Sequence, residues 1–345
     1  MGVKAVKVFF NGWVVVIGLL SLAVAFIISS ADRIDPEIYV WHQYPVMFSP
    51  LIVLFNFALM VYWIVKRKIW ALIPIFALVL NFKFITSIVG LSFGDNDVNN
   101  FTGKKITVST FNVNYFSYKK DVNAPAIAKE MANKGVDILA MQEFEPTVYF
   151  NLDELRGEFD CLPYSSINLD KDRIGIAIFS KHPIIRSEKI NFENTGNGAL
   201  WADILIHGDT LRFICNHLQT TGYYSTYGQG MKSVFKKMEE NFIRRANQVK
   251  VIRAFIDTTR YPVIVCGDFN DTPHSYVYSA MKGDNLSDAF EKARFQMGGT
   301  FFRTLGLLRI DYIFHSKELE TLTYFSERSD LSDHLPIYSV LGYKN

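Results

Sequence analysis

The sequence predicts an α+β domain of two packed sheets flanked by helices, carried behind a strongly apolar N-terminal region. Three observations lead there. Beyond residue 105 the apolar pattern switches between a period of two and a period of 3.6, and the period-two stretches dominate. Many of these stretches are joined by short turns, which argues against a simple doubly wound sheet. The apolar surplus, part of the 49% hydrophobic content of 345 residues, falls almost wholly before residue 91.

The N-terminal region comes first. Trp13 to Ser29, WVVVIGLLSLAVAFIIS, is almost unbroken, and further runs extend from about Pro45 to Val65 and from about Ile69 to Val89. Each approaches the ~20 residues that cross a bilayer, so three transmembrane helices are expected over residues 1–90. A buried helical hairpin would account for one such run, but not for three with charges only at their ends. Lys4, Lys7 and "SSA" before Asp32 also fit a signal peptide, except that the apolar stretch is too long. Lys4, Lys7 and Lys66-Arg67-Lys68 are the basic clusters, whereas the 31–44 loop carries Asp32, Asp35 and Glu37 against Arg33. The positive-inside rule places the N-terminus and residues 66–68 in the cytoplasm. Three crossings then leave residues 91–345 periplasmic or extracellular, in a multi-pass protein with the bilayer as a partner. Residues 91–105 read as a polar linker and 106–345 as the exported domain.

Charge bears on partners. Residues 1–90 hold seven Lys/Arg and three Asp/Glu, leaving 29 basic and 31 acidic residues and a net charge of −2 beyond them. Proteins that grip nucleic acid by its phosphates carry a basic footprint, so nucleic acid is disfavoured as a partner. Cys161, Cys215 and Cys266 each sit in an apolar context and read as free thiols, not a disulfide framework.

In the exported part the strand candidates are 106–113, 136–141, 174–180, 199–206, 211–216, 262–267, 310–314 and 335–341. Helices are expected at 123–134, 232–257 and 274–282. Five strand ends carry polar residues. "TFNVN" places Asn112 and Asn114 on one face of its strand. "DILAMQEFE" ends in Gln142 and Glu143. "FICNHLQ" ends in Asn216 and His217. "VIVCGDFND" places Asp268 and Asn270 at i and i+2 after a buried strand. "RIDYIF" and "SDHLPI" supply Asp311, Asp333 and His334. Each alone suits a polar turn or a satisfied core histidine. Together they suit a crevice at converging strand ends, with hard oxygen ligands for Mg2+ or Mn2+.

This ordered set closely resembles the endonuclease/exonuclease/phosphatase superfamily, over about residues 105–345. The resemblance implies a four-layer α/β/β/α sandwich and in-line attack of water on a phosphate ester. It implies that Asp268 orients and deprotonates the water and that Asn270 donates to a phosphate oxygen. Glu143 would hold the divalent cation, with Asn112 close by and Asp333 completing the site. His334 would bind phosphate or sit near the point of attack, Asp311 would fix that imidazole, and His217 would serve the leaving group. Asn114, where some relatives carry a carboxylate, is a weaker candidate. Asp271 and Thr272-Pro273 fit a helix entry.

Family membership gives chemistry, not substrate. "QTTGYYSTYGQG", 219–230, offers Tyr223, Tyr224 and Tyr227 for a membrane interface or a stacking platform, or as an ordinary packed loop. Residues 232–255 read as an amphipathic helix with a broad apolar stripe and basic faces that include Arg244 and Arg245. Arg303 and Arg309 are placed to approach a phosphate. The expected function is hydrolysis of a phosphate ester near the bilayer, with a lipid headgroup as one substrate class. An exported nuclease is the alternative with the same chemistry, and a non-catalytic binding domain is disfavoured by the intact polar set.

Overall fold

The computed structural model describes residues 2–91, 98, 100–119, 122–169, 174–222, 226, 228–293, 295–304 and 306–344. Tyr223, Tyr224 and Tyr227, and residues 92–97 and 99 of the expected 91–105 linker, lie outside the described residues.

The N-terminal region is helical, but not as three unbroken spans. Its helices are α1 (Val3–Ser30), α2 (Gln43–Val46), α3 (Ser49–Val65), α4 (Leu72–Leu80) and α5 (Phe82–Ile88). Among the described residues one unbroken helix, α1, is long and apolar enough to cross a membrane. The second apolar run bends by 58° between residues 46 and 49, and the third by 60° between 80 and 82. Both breaks have local causes. Pro50 has no N–H to give to the Val46 carbonyl, and the Ser49 hydroxyl takes that acceptor at 2.5 Å. Asn81 turns its side-chain amide onto the carbonyls of Ala77 (3.0 Å) and Ala25 (3.1 Å), ending α4 and tying it to α1. Asn56 on Ser21 (2.8 Å) and Tyr62 on Asn11 (3.1 Å) align α3 antiparallel to α1.

The remaining chain forms β1 (Lys105–Asn112), α6 (Ala124–Asn133), β2 (Ile138–Gln142), α7 (Leu152–Glu158), β3 (Tyr164–Asn168), β4 (Ile176–Ser180), β5 (Ile184–Asn191), β6 (Gly198–Ile206), β7 (Asp209–His217), α8 (Met231–Asp257), β8 (Val263–Asp268), α9 (Tyr276–Lys282), β9 (Leu286–Asp288), β10 (Asp311–Ser316), β11 (Leu319–Ser326) and β12 (Ile337–Tyr343). Every expected strand and helix of this part is present. Four strands (β3, β5, β9, β11) and one helix (α7) were not expected from the sequence.

Two six-stranded sheets result, in the orders β11-β12-β1-β2-β4-β3 and β5-β6-β7-β8-β10-β9. Each is mixed: β1 and β2 run parallel, as do β7 and β8, and the other pairs are antiparallel. The sheets bury their inner faces on each other, Ile106, Val108, Ile138 and Ala140 meeting Phe213, Cys215, Ile264 and Cys266. The outer face of the first sheet packs Phe111, Leu139 and Phe179 under Ile127, Met131 and Leu155 of α6 and α7. That of the second packs Ile214, Val265 and Phe314 under Val249, Ile252 and Met281 of α8 and α9. The result is the expected α/β/β/α layering.

Strand periodicity places the site. Side chains alternate faces along a strand. The inward series Ile106–Val108–Thr110 therefore ends at Asn112, Phe213–Cys215 at His217, and Ile264–Cys266 at Asp268. Asp311 begins the inward series of β10. In the second sheet His217 pairs with Asp268, and Asp268 with Asp311, so the three form one lateral row. The inter-sheet core thus turns polar at one end.

Candidate active site

Local backbone geometry sharpens that polar end. Gly267, just before Asp268, adopts φ 137°. A Cβ there would lie 2.0 Å from the Asn216 carbonyl oxygen, so only glycine lets β7 and β8 close up beside the site. Glu143 follows β2 with φ 53°, and Asn270 has φ 51°. Non-glycine residues in the left-handed region are held there by their surroundings and cluster at functional sites. Asn270 is fixed by its own N–H on Asp268 Oδ1 (2.8 Å) and by its side-chain amide on the Leu218 carbonyl (3.0 Å).

The expected residues converge. Asn112 Nδ2 crosses between the sheets to Asp268 Oδ2 at 3.1 Å and reaches Glu143 Oε1 at 3.2 Å. His217 Nε2 lies 3.6 Å from Asp268 Oδ2 and 3.8 Å from Glu143 Oε1. His334 Nδ1 meets Asp311 Oδ2 at 3.0 Å, while its Nε2 lies 3.8 Å from Asp268 Oδ2. Asp333 stands slightly apart. Its carboxylate accepts from Asn114 Nδ2 (2.7 Å) and pairs with Arg303 Nε (2.7 Å).

Burial decides the charges. The Asp268 carboxyl is pushed up to about 6 because it is buried, an effect only partly offset by His334. Burial also raises Glu143, against the hydrogen bond from Asn112 and the charge of His334. His217 is driven down by burial and stays neutral at pH 7. Burial would depress His334 too, but Asp311 and then Asp268 outweigh it and lift the imidazole to about 10. The site therefore holds one neutral and one protonated imidazole around a buried carboxylate.

The donor chemistry fits a divalent cation. Asp268, buried, and Glu143, partly buried, turn their carboxylates onto one amide nitrogen, Asn112 Nδ2, where a positive charge would relieve them both. Hard oxygens of this kind suit Mg2+ or Mn2+. Asp268, Asp311 and His334 also present ligand-type atoms within 4.8 Å of one another. Asp311 and His334 are engaged with each other, however, so Glu143 with Asn112, beside Asp268, is the better place for an ion.

A profile of the endonuclease/exonuclease/phosphatase family matches residues 109–334. The chain belongs to that family. Members of the family are hydrolases of phosphate esters that depend on a divalent metal. A second profile, a domain of unknown function, matches residues 7–88. No curated protein matches the chain. Among solved structures, an endonuclease/exonuclease/phosphatase from Beutenbergia cavernae superposes with TM-score 0.54 at 18% identity, over 70% of this chain and 72% of that one. A mannosyl-6-phosphatase from Bacteroides thetaiotaomicron gives 0.51 at 19%, over 69% and 100%. The human Nocturnin catalytic domain with bound sulfate gives 0.53 at 19%, over 70% and 94%. These likenesses are likenesses of fold.

Several residues stand differently from their sequence reading. Arg309 does not face a phosphate site. It is buried, ion-paired with Asp288 and stacked over Phe290 and Tyr312. Arg245 is not on a solvated basic face either. It is fully buried, with Nε on Asp271 Oδ2 (2.9 Å) and Nη1 on the Gln219 carbonyl (2.7 Å). The cap of α9 is Ser275, not Asp271 or Thr272. Sequence reasoning also missed Ser332, which donates to the Asn112 carbonyl (2.6 Å) and accepts the His334 N–H (3.2 Å). It missed Phe301, whose ring lies 4.9 Å from the His334 imidazole. The serine directly before "DH" was the one available signal; Phe301 had none.

Proposed function

We propose that this protein is a Mg2+- or Mn2+-dependent phosphoesterase that hydrolyses a phosphate ester at a membrane surface, with a lipid headgroup as the favoured substrate class. The observation that carries the reading is the pairing of His334 with Asp311 beside the buried carboxylate of Asp268. A protonated imidazole binds the phosphate anion, and the carboxylate next to it takes a proton from the attacking water. The new bond joins the water oxygen to phosphorus, and the bond to the alcohol oxygen breaks. Asn270 donates to a phosphoryl oxygen, where charge grows in the transition state. His217, kept neutral, offers an N–H to the departing oxygen. Glu143 with Asn112, and Asp333 as a more distant contributor, would hold the cation, which when bound polarises the phosphoryl oxygen.

The membrane part of the reading rests on α1 and on the packing along it of α3, antiparallel, and α4, parallel. On this reading the two bent pairs complete a multi-pass bundle. The basic clusters at Lys7 and Lys66–Lys68 face the cytoplasm, and the catalytic domain is periplasmic or extracellular. The net acidic catalytic part disfavours nucleic acid. One fold relative acts on a mannosyl-6-phosphate, which is compatible with a small phosphate ester as substrate here. The full chain in detergent with Mg2+, assayed against phosphoinositide and sphingomyelin micelles, a free inositol phosphate and plasmid DNA, tests the reading. Turnover of a lipid or small ester is expected. Activity confined to DNA would replace it with a nuclease.

A further inference from the structure

The N-terminal helices are bound to the catalytic domain along a continuous interface. After α1, Asp35 and Glu37 both pair with Lys250 of α8 (2.6 and 2.7 Å), and Glu37 also accepts from Asn247 (2.8 Å). Val40, Tyr44 and Met47 pack on Met238 and Phe242 of α8, with the Tyr44 hydroxyl on the Phe235 carbonyl (3.0 Å). At the other end of the bundle, Phe84 of α5 stacks on His274 with centroids 4.6 Å apart. The strand-like segment after α5 then pairs with residues 296–298: Gly90 N–H on the Gln296 carbonyl (2.8 Å) and Gly298 N–H on the Ile88 carbonyl (2.7 Å).

The last two contacts lie close to the chemistry. His274 follows Asn270 by four residues, so their Cα atoms are at most about 14 Å apart. Two residues beyond Gly298, the Thr300 hydroxyl accepts the Asp311 N–H (3.2 Å), and Phe301 covers His334. Two segments that carry site residues are therefore fixed to the helices within a few residues of the site.

The same contacts give the level of the bilayer edge. From Asn11, joined to Tyr62 near the end of α3, to Ser30, α1 rises about 29 Å, the thickness of a hydrocarbon core. Asp32 pairs with Lys83 (3.1 Å) just past that point, and Phe84 is the next residue. The stack of Phe84 on His274 therefore sits at the headgroup layer. The segments of the interface also expose side chains suited to that layer. Trp41 is 61% exposed, Met231 and Phe235 are exposed beside exposed Lys232 and Lys236, and Phe295 is 79% exposed.

We propose that the helical bundle is an orienting dock, not a tether: it holds the catalytic cleft at the headgroup layer, so that the site takes phosphate esters carried on membrane lipids in preference to the same esters in solution. The proposal rests on the phosphoesterase reading above and adds to it the substrate's physical state and the device that selects it. A flexible tether would raise only the local concentration. A dock with ion pairs, an apolar patch and backbone pairing fixes the orientation as well.

The test uses the full chain reconstituted in phosphatidylcholine vesicles doped with phosphatidylinositol phosphate or sphingomyelin, with soluble bis(p-nitrophenyl) phosphate as the reference. The undocking variants are Asp35→Lys with Glu37→Lys, and separately Tyr44→Ala. Each should lose at least about tenfold on the vesicle-borne ester while staying within about twofold on the soluble one. Adding Lys250→Glu to the first should recover most of the lipid activity. A parallel fall on both substrates, or no change on either, would overturn the proposal. So would a wild-type protein that turns over the soluble ester but neither lipid. Failure of the wild type on every ester would remove the phosphoesterase reading itself, and the dock's role with it.

Discussion

His334 Nδ1 and Asp311 Oδ2 lie 3.0 Å apart, one residue on the SDH turn after β11 and the other at the start of β10. This contact turns a buried histidine, which burial alone would leave neutral, into an imidazolium that persists to about pH 10. The site owes the positive charge of this imidazole to that pair, and several expectations depend on it.

Asp311→Asn should return His334 toward neutrality. With Asp311 present the imidazole keeps its proton throughout the neutral range. Without it the proton is lost at a much lower pH, since burial then goes largely unopposed. The variant should show a KM that climbs as pH rises through the neutral range, where the wild-type KM is flat. A pH series of KM for a soluble phosphate ester checks this.

Asp268→Asn should leave folding intact and lower kcat by roughly 10²–10⁴ through loss of the base. In the wild type, Asp268 acts only as the carboxylate, and burial raises its carboxyl to about 6. Activity should therefore fall as pH drops through about 6, well above the ordinary range of an aspartate. The acidic limb of the pH–kcat profile is the measurement.

Glu143→Gln should raise the Mg2+ concentration needed for half-maximal activity, because one anionic hard ligand becomes neutral. An unchanged titration would move the ion to other ligands, with Asp333 and Asn114 the next to examine.

Arg245→Met should destabilise the fold by about 3–5 kcal/mol, since it leaves the Asp271 carboxylate buried and unpaired. It also releases the Gln219 carbonyl, next to the Leu218 carbonyl that holds Asn270. Denaturant unfolding reads the first effect, and kcat at fixed stability, restored with osmolyte, reads the second.

His274 is buried against Phe84, and burial pushes its imidazole down to about 4, with Asp32 and Lys83 acting in opposite directions. The unfolded chain then binds the proton more readily than the native one between about pH 6.5 and 4. Stability is fully present above that window and is lost as pH falls through it, by up to about 3 kcal/mol. Thermal unfolding of the wild type should show this acid sensitivity, and His274→Phe should show less of it.

Much of this was readable in the sequence because strand alternation carries it. Asn112, His217, Asp268 and Asp311 each belong to an inward series whose other members are mostly apolar, so the pattern itself points to a polar end. What escaped did so for physical reasons. β5 is an exposed edge strand whose Arg186, Glu188 and Lys189 hide its period, and β9 has only three residues. α7 was readable: Asn151 and Glu154 form a capping box, with the Asn151 side chain on the Glu154 N–H. Arg245 and Arg309 look like surface cations because nothing local marks their partners, Asp271 and Asp288, which the fold brings from 26 and 21 residues away. The two breaks in the apolar helices lie at Pro50 and Asn81, residues that hydropathy averages over.

The most direct test of the central claim is hydrolysis in heavy-oxygen water by the purified full chain with Mg2+. The substrates are the phosphoinositide and the soluble phosphodiester, and Asp268→Asn is run in parallel. Attack of water at phosphorus predicts that the label appears in the phosphate-containing product and never in the alcohol, with turnover nearly abolished in the variant. Label in the alcohol, or a variant as active as the wild type, would contradict the assignment of this site.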